Sequence, residues 1–234
     1  MTTAAPVAIL LFTRSAAEEA RHKRFVGHGP PGRNVSVAAQ LIHHAQATAA
    51  LAGVDVVCVD SSQQTGATFG ERLADAMQQV FGLGYEQVLV IGNDCPQLAP
   101  HLLRQAVAAV RCGKTVLGPA TDGGVYLLGI SRRWFEQACW QALPWQTRHL
   151  GAALQQVCRQ HKALVEFLPL LADVDNEQDL VRVLHQPLPR ALRRRLRHIC
   201  FAKPILRVSS SRRVRRLATT AQPHRGPPVT GTYC

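Results

Sequence analysis

The stretch "QVLVIGNDCP" (residues 87–96) runs from an apolar, strand-like segment into Asn93 and Asp94 and stops at Pro96. One reading is a turn: Asn and Asp hydrogen-bond their own backbone, and the residue before a proline is steered out of the helical region. The other places Asp94 at the carboxyl end of a strand, the edge where α/β sheets gather their ligands. The stretch alone supports both, so the decision passes to its surroundings.

Strand-like and helix-like segments alternate on either side, the pattern of an α/β layered domain. "PVAILLF" (6–12) is a continuous apolar run suited to a buried central strand. Ser15-Ala-Ala-Glu18 has the form of a capping box and predicts a helix over about 16–25. Ser36 is the expected cap of the next helix, with Leu41, Ile42, Ala45 and Ala49 on one face. "VDVVCVD" (54–60) reads as the second strand, with Cys58 as a small buried hydrophobe.

Thr68-Phe-Gly-Glu71 is a second capping box. Behind it Leu73, Ala76, Met77, Val80 and Phe81 fall at the spacing of one buried stripe, ended by Gly82 or Gly84. After the opening stretch, Pro100 suits a first helical turn and Gly113 a helix end. Strands are expected in "KTVLG" (114–118), "TDGGVYLLGI" (121–130) and "ALVEFLP" (163–169), and helices over about 132–142 and 147–161. Asp175-Asn-Glu-Gln178 resembles a third capping box, introducing "DLVRVLH".

At 234 residues and 47% apolar content, the chain can fill one sizeable core. No apolar run approaches the length of a bilayer span, and "APVAILLF" lacks the basic flank of a signal peptide, so the expected location is the cytoplasm. The seven cysteines form no C-x-x-C pair and no zinc-finger spacing, which fits free thiols. Cys158 and His161 stand three apart on a helical stretch and read as incidental.

The net charge of +12 is unevenly placed. Residues 1–189 hold 15 Lys/Arg and all 15 Asp/Glu, whereas residues 190–234 hold 12 Lys/Arg and no acid. A boundary is therefore expected at 189, with a neutral folded body followed by a basic, disordered tail. "RALRRRLRH" (190–198) and "RRVRR" (212–216) make nucleic acid or an anionic surface a candidate partner.

Three acidic stations stand at strand or loop ends: Asp94, Asp122 in "GPATDGG", and Asp173 with Asp175 in "ADVDNEQDL". Each has a local explanation, Asp122 as a turn residue, Asp175 as an N-cap and Asp173 as a solvated loop acid. Together they can converge at one sheet edge, and carboxylates suit magnesium or manganese. Arg72, beside the capping Glu71, has no such local reason. Tyr126 and Trp145 fit either a ligand border or core packing.

"TFGERL" (68–73), "VLVIGNDCPQL" (88–98), "VLGPATDGGVYLLGI" (116–130), "LPW" (143–145) and "DVDNEQDL" (173–180) occur in that order. In this set the chain resembles the glycosyltransferase-A-like family called radical-SAM/selenodomain-associated transferases, related to molybdenum-cofactor and phospholactate guanylyltransferases. The resemblance covers residues 6–185. It implies a nucleotide-diphospho-sugar-transferase-like three-layer sandwich with a mixed, mostly parallel sheet. It also implies a metal-dependent transferase using a nucleotide or nucleotide-sugar donor and an unknown acceptor, with nucleotidyl transfer to a phosphorylated or cofactor-like acceptor as the alternative.

Carried over by position, the metal falls to Asp94 and Asp175 and the acceptor side to Asp122, Asp173 and Asp175, with Gly123 and Gly124 in the acceptor loop. Many relatives place a glycine-rich, Lys/Arg-bearing loop after the first strand. Here "FTRSAAEEARHKRF" (12–25) has no glycine, which leaves phosphate binding to Arg14, Arg21, Lys23 and Arg24 as point or fork charges, with Arg72 as a further cation.

Overall fold

The computed structural model describes residues 5–28, 30 and 32–201. Its first strand, β1 (Val7–Phe12), is buried along its whole length. Val7, Ile9 and Leu11 enter one core layer while Ala8, Leu10 and Phe12 enter the other. A strand covered on both faces has no need of polar alternation, which is why its sequence is a plain apolar run. β2 (Asp55–Val59) and β3 (Gln87–Ile91) pair with β1 in parallel on its two sides.

β4 (Thr115–Pro119) and β5 (Val125–Ser131) form an antiparallel pair, and β5 inserts between β3 and β4. β6 (Val165–Phe167) closes the far edge in parallel with β4. The order is β2-β1-β3-β5-β4-β6, with β5 the single antiparallel strand. The expected mixed, mostly parallel sheet is therefore present.

Helices cover both faces. α2 (Gly32–Ala50) and α4 (Pro100–Arg111) supply Ala45, Ala49, Leu103 and Val107 to one layer. α3 (Phe69–Gly82), α5 (Arg132–Gln137) and α6 (Leu150–Gln160) supply Leu73, Met77, Trp134 and Leu154 to the other. The Thr68–Glu71 capping box forms reciprocally at the start of α3. Gly84, at φ +96°, and Gly113, at φ +76°, take the left-handed turns that end α3 and α4.

A third apolar cluster joins α1 (Ala16–His22), α2, α7 (Glu177–Leu184) and α8 (Arg190–Phe201) through Phe25, Val37, Leu41, Val183, Leu192 and Leu196. This corrects the boundary expected at 189. Residues 190–201 form a helix whose Leu192 and Leu196 are buried, so the compact unit reaches the end of α8. The remainder of the expected tail, including "RRVRR", lies outside the described residues.

Local expectations also shift. Ser36 sits inside α2 and donates to Gly32 O at 2.9 Å, while Asn34 Oδ1 accepts from Val26 N–H at 2.9 Å near the helix start. α1 ends at His22, and Lys23 is already extended. Ser15 does accept from Glu18 N–H, but its own N–H goes to Ser61 Oγ at 3.1 Å, so only half of that capping box forms. Cys58 is exposed because β2 is an edge strand. No described helix is long and apolar enough to cross a membrane.

Candidate functional site

The carboxyl ends of β1 and β3, the loop joining β4 to β5, and the segment before α7 open onto one cleft of about 370 Å³. Backbone hydrogen bonds hold its acidic stations in register. Val174 N–H donates to Asp94 O at 2.8 Å, and Thr121 N–H donates to Leu171 O at 3.0 Å. The 173–175 segment is thus stitched to the turn after β3, and the stretch just before it to the β4–β5 loop. Residues separated by dozens of positions meet because their backbones are paired there.

Asp122, Asp173 and Asp175 each offer a carboxylate oxygen, and these lie within 4.8 Å of one another, a set that could hold a metal ion. Asp122 keeps its turn role as well, since its Oδ1 accepts from Gly124 N–H at 2.7 Å. Asp173 accepts from Thr121 Oγ1 at 3.3 Å. Burial first, then the Asp122, Asp175 and Asp94 charges, push the Asp173 carboxyl up to about 6. Asp175 is released from capping, because Asn176 is the N-cap of α7 and accepts from Asp179 N–H at 3.1 Å.

Asp94 stands apart from that trio. Its Oδ2 lies 3.3 Å from Lys23 Nζ, which also meets Asp175 Oδ1 at 2.8 Å and Glu19 Oε1 at 3.1 Å. Lys23 therefore links both residues proposed from the sequence as metal ligands. Burial works against its ammonium, but Asp94, Glu19 and Asp175 outweigh that and hold its pKa well above the ordinary lysine value.

Glu19, at 2% exposure, is the buried anchor of the cationic side, pairing with Arg14 at 3.0 Å as well as with Lys23. Sequence reading missed it. Its signal was the Glu19–Lys23 spacing of four, which puts both on one helical face.

Of the cations expected to meet phosphate, Arg14, Lys23 and Arg72 line the cleft, whereas Arg21 and Arg24 do not. Arg72 Nη1 donates to Ala67 O at 3.3 Å. Gly123 takes φ +92°, and a Cβ there would strike the Arg148 carbonyl oxygen, so close backbone approach demands glycine. Gly151 N–H donates to Gly123 O at 3.0 Å, tying this loop to α6.

Two further groups were not foreseen. Thr13 Oγ1 donates to Asn93 Oδ1 at 2.7 Å, and the Asn93 side-chain NH₂ is buried with no partner among the described residues. Gln64 Nε2 donates to Thr13 O at 2.7 Å. Tyr126 and Trp145 both line the cleft. Tyr126 is nevertheless packed, 4% exposed, with its hydroxyl donating to Pro169 O at 2.8 Å.

The crystal structure of a candidate nucleotide-diphospho-sugar transferase from Desulfovibrio desulfuricans G20 matches with TM-score 0.68 at 22% identity, covering 80% of this chain and 90% of that one. The fold is therefore that of the nucleotide-diphospho-sugar transferases. Looser matches include Rv0371c from Mycobacterium tuberculosis H37Rv in complex with manganese, at TM-score 0.42 and 20% identity, covering 78% of this chain and 100% of that one. Another is 4-diphosphocytidyl-2C-methyl-D-erythritolsynthase from Anaerococcus prevotii DSM 20548, at TM-score 0.48 and 8% identity, covering 76% and 94%. No curated protein matches the chain. The profile of the family described as "Uncharacterized protein conserved in bacteria (DUF2064)" matches residues 31–147, half of the sequence, and the chain belongs to that family.

Proposed function

We propose that the protein is a metal-dependent transferase that takes a nucleotide-activated donor, a nucleoside-diphosphate sugar in the first instance. The observation that carries this is the convergence of Asp94, Asp122, Asp173 and Asp175 with Arg14 and Lys23 in one cleft, at the strand-end edge of a sheet of this fold. The kinship with radical-SAM/selenodomain-associated transferases and guanylyltransferases belongs to the same reading.

The donor set fits magnesium or manganese: all its ligand atoms are hard carboxylate oxygens, and burial together with the neighbouring carboxylates raises Asp173, a cost that a divalent cation relieves. Asp122, Asp173 and Asp175 would hold the ion, with Asp94 the remaining carboxylate of the cleft. When bound, such an ion neutralises a departing phosphate or pyrophosphate. Arg14 and Lys23, pre-set by Glu19, would grip the donor phosphates, and Arg72 would add a third positive charge. Gly123 and Gly124 let the acceptor loop approach closely, and one of the loop carboxylates would take the proton of the acceptor hydroxyl.

The test is a melting assay with nucleoside triphosphates and nucleotide sugars, with and without manganese or magnesium, followed by product analysis. Ligand at about 100 times its dissociation constant adds about 2.7 kcal/mol, a readable shift. Release of nucleoside diphosphate marks glycosyl transfer, and release of pyrophosphate marks nucleotidyl transfer. No ion-dependent shift with any donor, or an undiminished shift in Asp175→Asn, would refute the proposal.

A further inference from the structure

The largest concentration of charge the cleft leaves unused is on α8. Its twelve residues carry Arg190, Arg193, Arg194, Arg195 and Arg197 and no acid. Leu192 and Leu196, four apart, face inward and are buried in the cluster containing Val37 and Leu41 of α2. The outward side displays Arg190, Arg194, Arg195 and Arg197, all exposed. Arg190, Arg194 and Arg197 follow i, i+4, i+7 spacing and form one row about 10 Å long, close to three nucleotide steps of a duplex.

No ion pair to the row occurs among the described residues; α7, which also packs on α8, carries Glu177 and Asp179, and Asp179 is paired with Arg182. α2, against which α8 packs, contains no Asp or Glu, and no acid occurs anywhere from residue 25 to 54. Arg195 reaches Gln40 Oε1 at 3.5 Å, an amide and not a carboxylate. Arg190, Arg194 and Arg197 have no ion-pair partner among the described residues. None of residues 190–201 lines the cleft, so the row is separate from the acidic site.

The partner must be a polyanion, and two features choose its class. A helix that lies in a bilayer interface needs a continuous free apolar face, and Leu192 and Leu196 of α8 are buried against α2 and α7, which leaves only Phe201 as a large exposed apolar side chain on the helix. Eleven of the twelve Lys/Arg from residue 190 onward are arginine, the side chain whose planar fork matches phosphate oxygens two at a time. We propose that the exposed arginine face of α8 docks the phosphate backbone of nucleic acid, without reading sequence.

The test uses the full chain and a variant carrying Arg190→Gln, Arg194→Gln, Arg195→Gln and Arg197→Gln. Glutamine has nearly the helix propensity of arginine, so α8 persists, as circular dichroism and melting would verify. A second variant with lysine at the same four positions keeps the charge and controls for the substitutions themselves. Binding of a short labelled DNA duplex and a single-stranded RNA is followed by anisotropy from about 50 to 200 mM salt. Vesicles of phosphatidylserine and phosphatidylcholine are sedimented in parallel.

Wild type is expected to bind nucleic acid with log K falling linearly against log salt. The glutamine variant should bind about tenfold or more weakly, with a slope smaller by about three, and the lysine variant should retain the slope. Equal binding by wild type and glutamine variant would overturn the proposal, as would no binding at the lowest salt. Retention on vesicles in preference to either oligonucleotide would overturn it equally.

Discussion

Replacing Asp173 by asparagine removes a charge that the ion-free fold holds against its own preference. Burial and three neighbouring aspartates raise its pKa from 3.8 to about 6. About two units correspond to about 3 kcal/mol between protonation states, and because the group is half-buried, solvent screening reduces this to on the order of 1 kcal/mol. The folded pKa lies above the unfolded one, so the penalty is absent below about 3.8, where both states bind the proton. It grows between 3.8 and about 6 and is complete above that. In chelator at about pH 7.5, Asp173→Asn should therefore melt about 2–4 °C above wild type, and at about pH 3.5 the two should coincide. Differential scanning fluorimetry reads both. Manganese should then stabilise wild type more than the variant and narrow or reverse the order. A variant that melts at or below wild type near neutral pH in chelator would refute the account of an unrelieved acidic cluster.

Lys23→Met strips the cation from buried Glu19 and from Asp94 and Asp175, and should cost on the order of 3 kcal/mol, about 6–12 °C in melting, with an unchanged midpoint counting against the bridge. Gly123→Ala should lower the midpoint by several degrees, because the left-handed backbone and the Arg148 carbonyl both oppose a Cβ, whereas Gly82→Ala, with open space around it, should be neutral or stabilising. Ending the chain after residue 189 should destabilise by about 3 kcal/mol or more through the loss of buried Leu192 and Leu196, and an unchanged melting midpoint would count against their packing role. Asp94→Asn should leave the protein folded and keep the manganese-dependent shift that Asp122, Asp173 and Asp175 carry, and loss of that shift would show that Asp94 also holds the ion.

The elements that were legible in the sequence are those written in local chemistry. β1 and β3 are apolar because both faces are covered, and α3 announces itself through Thr68, Glu71 and a stripe of buried residues. Strand direction has no such local mark, so the insertion of antiparallel β5 between β3 and β4 had to come from the structure. α8 was hidden by its charge: Leu192 and Leu196 carry the helical spacing, but five arginines around them resemble a solvated run.

The carboxylates of the site were legible because strand ends predict where acids gather. Their counter-ion was not, because Lys23 and Asp94 are 71 positions apart and only the folded sheet brings them within 3.3 Å. Glu19 was overlooked for a related reason. It stands beside Glu18 in the first turn of α1, and only the fold shows it buried against Arg14 and Lys23.

The aromatic packing beside the cleft also gives the protein an optical reporter. All three tryptophans belong to one chain of rings: Trp134 meets Trp140 at 5.0 Å, Trp140 stacks on Trp145 at 6.5 Å, and Trp145 meets Phe69 at 5.6 Å. Trp134 and Trp140 are 6% and 4% exposed, whereas Trp145 lines the cleft. Rings this close share excitation energy, so a molecule arriving against Trp145 alters the emission of the set. The exciton coupling of Trp134 with Trp140 should appear in near-ultraviolet circular dichroism as a signature of the intact layer, independent of what fills the cleft. Occupancy and integrity can thus be read separately, on unlabelled protein, from the same three side chains.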